Sequence, residues 1–466
     1  MNAAPILAAA AVAVAVVCCA AAPAAEKAAL PVRAKYLVLD GRVVERADNA
    51  RLAVAAVSKH RANPLFGEDK PWEPRFDNLY ANVLYDESEK LYKCWYSPFI
   101  VDKAVTQTPR EKWAQVPYRP RGREMGVCYA VSTDGLKWRK PELGLVEFDG
   151  GKANNLVVRG PHGAGVFKDP RDADPARRYK MFYKGRGMCV RFSADGLRWG
   201  EEIRCAEIDA RGDTHNNAFW WGERGKYVGI TRLWAGQRLV GRTESADFRR
   251  WTKAVEVLRG DKENQTYAMP VFRHAGVWLG LAMIFRPRPN RVHCELTWSP
   301  DTVKWHRIDK GVPLIPNSPK RGDYDWGCAY AAAYPVVLAG EIRLYYGASN
   351  GTHNGWRDGF LALATLRPDG FAGYEPADAS KPAAVVTRPV LCSGRTVRIT
   401  ADAKGGTVGV SLLDAAGRSV AAGGPIRDDV TDAPVKLRGG ADLTGRRVRL
   451  KFELTKAKLY AFAFGD

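Results

Sequence analysis

The sequence predicts an all-β chain, a five-bladed β-propeller followed by a C-terminal β-sandwich, and three observations carry that expectation. The stretch Ser132-Thr133-Asp134-Gly135-Leu136-Lys137-Trp138 returns at 193–199, 245–251 and 299–305 as S-x-D-x-x-x-W, with a degraded copy at Arg367-Pro368-Asp369-Gly370-Phe371. The aspartates at 134, 195, 247, 301 and 369 lie 61, 52, 54 and 68 residues apart, and self-similarity at such a period marks propellers or arrays. Each copy follows an apolar strand and precedes another, and 45 Gly with 28 Pro suit a turn-rich chain. In each copy the Ser and Asp can hold a tight turn through backbone N–H groups, and the Trp can pack between blades. These aspartates therefore read as structural.

Residues 1–25 read as a signal peptide: an Ala/Val run from Pro5 to Ala22 ends in the small residues Ala22-Pro23-Ala24. A transmembrane anchor is the alternative, since the run approaches spanning length. The first reading implies a secreted or periplasmic protein with no membrane span after cleavage. Losing Cys18 and Cys19 leaves seven of nine cysteines, an odd number that excludes a fully paired framework. Cys94 with Cys128, and Cys189 with Cys205, fall on adjacent expected strands and could bridge. Buried thiols are the expected state, because a core of this size needs no staples. No spacing suggests zinc, so neither metal nor cofactor is expected.

The propeller is assigned to 26–376. Two strands, 36–40 and 52–57, precede the repeats, and one of them is expected to complete the last blade and close the ring. Blade 1 takes 78–86, 91–97 and 126–131; blade 2 takes 163–168, 179–184 and 188–192; blade 3 takes 215–221, 227–232 and 238–242. Blade 4 takes 266–272, 278–285 and 292–298, and the strands after Trp138, Trp199, Trp251 and Trp305 complete these four. Blade 5 takes 328–338, 341–347 and 360–366. A Pro/Ala/Asp-rich linker at 374–381 leads to 383–466, where short alternating runs such as Thr396-Val397-Arg398-Ile399-Thr400 predict the sandwich.

Formal charge is +20, from 71 basic and 51 acidic residues. The excess can be Arg spread over the surface, or it can draw in an acidic or sulfated glycan or a cell envelope. No basic helix, zinc finger or RNA-binding signature is present, so a nucleic-acid partner is not expected.

In a four-stranded meander the S-x-D turns share one face with the links between strands 1 and 2. Residues entering each inner strand share the other face and converge on the axis. That face collects Asp77 with Asn78, His162, Asp213 with His215, Asn216 and Asn217, Glu263, and Asp325 with Trp326. Arg186, Arg232, Trp234, Arg286 and His353 follow the second strands and join them. Two carboxyl groups on opposite sides of a bond suit glycoside hydrolysis, and aromatics with forked Arg groups suit sugar rings and acidic substituents. Asp77 as base or nucleophile and Asp213 as acid or stabiliser lead, with Asp325 and Glu263 in reserve. Each has a plainer alternative: a strand cap for Asp77, a simple loop for Asp325, a solvated face for Glu263, hydrogen-bonded structural roles for the histidines.

The motifs Asn63-Pro64-Leu65, Phe76-Asp77-Asn78-Leu79-Tyr80, the repeated S-x-D-G-x-x-W, and Asp325-Trp326-Gly327 ahead of Tyr345-Tyr346-Gly347 resemble the five-bladed propeller glycosidases, the superfamily containing glycoside hydrolase families 32 and 43. The resemblance covers roughly 36–376, and 383–466 is similar to the accessory sandwich of family 32. It implies a hydrolase of O-glycosyl bonds with a carbohydrate substrate, and an acidic nucleophile or base opening the first blade, which Asp77 matches by position. Departures are plain: W-x-N-D-P-N-G is absent, Lys168-Asp169-Pro170 ends its strand rather than opening it, and the only approach to a Glu-Cys pair is the reversed Cys294-Glu295. A non-catalytic glycan-binding or envelope-associated propeller is the second reading. A sialidase, with related Asp-box turns but six blades and another spacing, is the third.

Overall fold

The structure, a computed structural model, describes residues 1, 32–76, 78–414, 416–438 and 444–465. Residues 2–25 of the expected signal peptide, with Cys18 and Cys19, and the candidate Asp77 lie outside the described residues. Regular structure is almost entirely β. No helix among the described residues is long and apolar enough to cross a membrane.

The repeats build antiparallel sheets whose strands run in sequence order. His162–Lys168, Tyr179–Gly185, Gly187–Ser193 and Ile203–Arg204 form one, and Asn217–Trp221, Lys226–Trp234, Arg238–Ser245 and Val255–Arg259 another. Before them come Asn82–Asp86, Leu91–Tyr96, Arg123–Ser132 and Leu156–Arg159. After them, two further meanders are fused into one sheet by a single parallel pairing, Val292 to Cys328.

The S-x-D turn folds as its chemistry requires. Ser132 Oγ accepts from the Gly135 N–H at 2.8 Å, and Asp134 Oδ1 accepts from the N–H groups of Leu136 and Lys137 at 2.7 and 2.8 Å. The turns at Ser193 and Ser245 repeat this pattern. The tryptophans that follow pack onto a neighbouring sheet: Trp251 stacks on Phe182 with centroids 4.9 Å apart, and Trp138 meets Tyr345 edge-on at 5.9 Å. In the degraded fifth copy Asp369 instead pairs with Lys35 and His274.

Polar side chains pin each sheet to the next. Asn82 Oδ1 accepts from the Val166 N–H and Asn217 Oδ1 from the Val271 N–H, both at 3.0 Å. Lys168 donates to Asp86 at 2.8 Å, and Tyr227 to Asp169 at 2.7 Å. Burial pushes the Asp86 carboxyl up, but hydrogen bonds from Lys168, Ser88 and Lys93 outweigh it and hold the group well below the usual carboxylate range.

Completion of the last repeat sheet departs from the sequence expectation. Tyr36–Leu37 pairs with Lys458–Gly465, and Ala50–Val54 with Ala372–Pro376, so neither 36–40 nor 52–57 completes the last repeat sheet. Ser58–Lys59 and Phe66–Gly67 take that place against Gly359–Leu366. The reason lies in the apolar run after Lys35. Tyr36 and Val38 enter one hydrophobic cluster while Leu37 and Leu39 enter another, so alternate side chains serve two cores. The C-terminal strands form two sheets sharing the cluster around Ile399, Phe452 and Phe462. Val44–Asp48 joins them by pairing with Ala383–Thr387.

The described cysteines are all buried and free, so neither candidate bridge is formed. One unexpected element leaves the first sheet after Pro98–Asp102. It runs through a helical turn, Lys103–Thr106, capped by Asp102, and returns at Arg123–Ser132. This strap is fastened by Trp113 stacked on Trp356 at 4.7 Å, by Trp356 Nε1 donating to the Val116 carbonyl at 2.6 Å, and by Tyr118 donating to Asp102.

Candidate functional site

Beside the strap lies a cavity of about 390 Å³, lined by Arg75, Phe99, Tyr118, Pro120, Arg123, His162, Asp213, Arg238, Tyr267, His353, Asn354 and Arg357. A second recess of about 420 Å³ shares Asp213 and Arg238 with it and adds Lys184, Arg211, Arg232 and Trp234.

Asp213 is placed by glycine. Gly163 has φ of +58°, and a Cβ there would stand 1.6 Å from the Thr214 carbonyl oxygen, so only Gly lets the 212–217 segment thread past it. The Gly163 carbonyl in turn accepts from the Asn216 backbone N–H at 2.9 Å and from Asn216 Nδ2 at 3.0 Å. This docking sets Asp213 Oδ1 2.9 Å from His162 Nε2, with Arg232 3.7 Å from the other oxygen. The His162 hydrogen bond above all, with the charges of Arg232 and Lys184, holds the Asp213 carboxyl well below its ordinary range against the opposing effect of burial. Asp213 is therefore an anion at any working pH. It can attack or stabilise a positive centre; so acidic a carboxyl is a weak base and is unsuited as a resting proton donor.

The surrounding cations are held rigidly. Arg232 is buried, donates to the Tyr267 carbonyl at 2.6 Å, and lies 4.3 Å over the Tyr267 ring. Arg357 donates to Asn78 Oδ1 at 2.9 Å. Arg75 sits 4.0 Å over the Tyr118 ring, and Arg123 4.4 Å over Phe99. Arg238 lies over Phe285 at 4.8 Å, and burial together with the nearby Arg232 lowers its pKa. His353 shares a 2.7 Å hydrogen bond with Tyr330. Burial first, then Arg357, Arg238, Arg232 and Arg75, push its pKa well down, so its ring is neutral.

Of the sequence candidates, Asp213, His162 and His353 line the cavity, and Arg232 and Trp234 line the recess. Asn78 stands behind them, its amide donating to Tyr80 and Tyr267 while its oxygen holds Arg357. Asn216 donates to backbone carbonyls and accepts from Thr231, and Asn217 Oδ1 accepts from the Val271 N–H. His215 is buried 3.3 Å from Asn82, its pKa pushed down to about 3 by burial.

The other described candidates lie outside the cavity and the recess. Asp325 is fully buried, paired with Lys59 at 2.6 Å and accepting from Tyr346 at 2.9 Å. Its role is to tie strands together. Glu263 is exposed, 3.4 Å from Arg288. Trp326 is flanked by Arg291 and Arg321, and neither it nor Arg186 nor Arg286 lines the cavity or the recess. Sorting strand ends by face gives the end of the sheet at which a residue lies but not what its side chain meets there.

Arg75, Arg123, Arg238, Arg357 and Tyr118 were not among the sequence candidates. Arg75, immediately before Phe76-Asp77-Asn78, carried the one local signal. Glu68 lies close behind: one oxygen accepts from the N–H groups of Phe76 and Gly359, and burial raises its pKa to about 8 despite those bonds and Arg75. Because the folded-state value exceeds the unfolded one, the stability this group contributes is complete below about pH 4.5 and is lost as pH rises toward 8. Glu68→Gln should flatten that slope. Its Tm is expected to fall less than the parent's between pH 5 and pH 9, by about 1 °C for each kcal/mol relieved; parallel scanning-fluorimetry curves would refute it.

No protein family and no curated protein matches the chain. Among solved structures it is similar to an N-acetylgalactosamine deacetylase from F. plautii in complex with blood group B trisaccharide, at 15% identity and TM-score 0.44 over 69% of this chain and 96% of that one. It is also similar to a glycosyl hydrolase from Bacteroides ovatus, at 14% identity and TM-score 0.45 over 68% and 94% of the two chains. A third similar structure belongs to work on the GH130 family of mannoside phosphorylases, containing glycoside hydrolases that target β-1,2 mannosidic linkages in Candida mannan. Its identity is 13% and its TM-score 0.44, over 68% and 95% of the two chains. At TM-scores below 0.5 these likenesses assign neither family nor activity to this chain.

Proposed function

We propose that the chain is a secreted or periplasmic glycoside hydrolase-like protein acting on an acidic or sulfated poly- or oligosaccharide. In this reading the repeat sheets are five blades of a propeller, the C-terminal sheets an accessory sandwich, and the cavity the funnel between them. The observation that supports it most is one ionised carboxylate, Asp213, set among Arg75, Arg123, Arg238 and Arg357 with three aromatic rings.

Forked guanidinium groups suit carboxylate or sulfate substituents. Of the lining aromatics Phe99 and Tyr267 are buried and Tyr118 half-buried, so Tyr118 is the ring with surface left to meet a sugar. Asp213 serves as nucleophile or stabiliser of a developing oxocarbenium ion, oriented by His162 and Arg232. The partner carboxyl is assigned to Asp77 on its position in sequence between Phe76 and Asn78. The retaining or inverting course follows from the separation of the two groups.

A panel of neutral, uronic and sulfated polysaccharides, assayed for reducing ends at low and high salt, tests this. Cleavage confined to the acidic members, weakening as salt screens the arginines, is the expected result. Cleavage of neutral glycans alone would refute the charge argument. Binding without release would favour a non-catalytic glycan-binding protein, a reading to which the single carboxylate lining the cavity among the described residues lends weight.

A further inference from the structure

We infer that the recess beside the cavity is a second sugar-ring subsite with Trp234 as its stacking platform, so that the smallest ligand filling the site is a disaccharide whose linkage lies at Asp213. This rests on the glycan-binding part of the reading above and holds for charged and neutral sugars alike.

Of the 14 tryptophans in the chain Trp234 alone is exposed, at 51%, and no described Phe or Tyr is. The strand that carries it sets its direction. Along Lys226–Trp234 side chains alternate between faces: Leu233 packs against the cluster around Phe182 and Trp251, while Arg232 and Trp234, two positions apart, stand on the opposite face. Arg232 reaches Asp213 at 3.7 Å, and Trp234 lines the recess that Asp213 shares. Across the hairpin Trp234 pairs with Arg238, whose guanidinium lies 5.8 Å from the indole centroid and is itself fixed by a 2.8 Å hydrogen bond to Gln265. An indole held in this way offers a flat apolar surface with little left to order on binding.

The cavity and the recess, of about 390 and 420 Å³, each fall within the range of small-ligand sites and have only Asp213 and Arg238 in common. On the cavity side the aromatic surface left open is that of Tyr118, which is held by its bond to Asp102. On the recess side it is Trp234. Two rings seated on these two aromatics bring the bond that joins them to the carboxylate the two spaces share. A monosaccharide can meet only one of the two surfaces.

Isothermal titration calorimetry on the full chain, with mono- and disaccharides of neutral, uronic and sulfated series, tests the arrangement. In at least one series the disaccharide is expected to bind about 10-fold or more tightly than the monosaccharide. Trp234→Ala should remove about 10-fold of the disaccharide's affinity and leave the monosaccharide's within about 2-fold. Trp234→Phe, which keeps a platform, should recover most of the loss. Because the side chain is exposed, both variants are expected to keep the parent's Tm, which separates the effect from misfolding. Equal affinity for mono- and disaccharide in every series, or a disaccharide affinity unmoved by Trp234→Ala, overturns the subsite. An equal loss for both sugars makes the recess the sole sugar site and overturns the two-ring arrangement. If only the neutral series behaves as expected, the two-ring site stands and the charge reading above fails; binding by no series overturns both.

Discussion

Asp213→Asn is expected to lower kcat/KM on an acidic glycan by at least about 10²–10³-fold, the range lost with one preorganised electrostatic stabiliser, with little change in Tm. The amide keeps the volume and can still meet Arg232 poorly and His162 through its oxygen, so the 212–217 segment stays docked on Gly163. What it loses is the anion. His162, Arg232 and Lys184 combine to keep that carboxyl ionised, and no other described carboxylate lines the cavity to replace it. The loss should be almost wholly in kcat, because the arginines that grip an anionic ligand are untouched and one repulsive charge has been removed. Steady-state kinetics on whichever acidic substrate the panel identifies would check it. Near-parent turnover would remove Asp213 from the chemistry and leave the cavity as a binding site.

That asymmetry between chemistry and grip also bears on how much a sequence alone discloses. The repeat turns were legible because Ser-x-Asp hydrogen bonding is local: Ser193 and Asp195 find their partners within three residues. The polar run Gly212-Asp213-Thr214-His215-Asn216-Asn217 was legible as a strand entry for a similar reason. The arginines were not. Arg357 reaches Asn78 across 279 positions of chain, and nothing near Arg357 announces that contact. Tyr36 to Leu39 misled in another way, since a run apolar on both faces states that it is buried but not between which sheets.

Asp325 and Asp213 show the same limit from one pair of residues, and the second large effect separates them. Both open strands in polar company, and both are candidates on sequence. Asp325, however, is 0% exposed, bound to Lys59 at 2.6 Å and to Tyr346 at 2.9 Å, with the Ser318 N–H at 3.2 Å on its other oxygen. Lys59 lies on Ser58–Lys59, the short strand that pairs with Gly359–Leu366 where the first expected closure failed. Asp325→Ala would strand an ammonium group and a buried phenol at that joint. Removing one partner of a buried ion pair costs about 3–5 kcal/mol, so a Tm drop of about 3–5 °C is expected for a chain of this length. Protein that stays folded at low temperature should keep turnover per folded molecule within a few-fold of the parent, since Asp325 lines neither the cavity nor the recess. The opposite pattern, an unchanged Tm with lost turnover, would restore Asp325 to the chemistry.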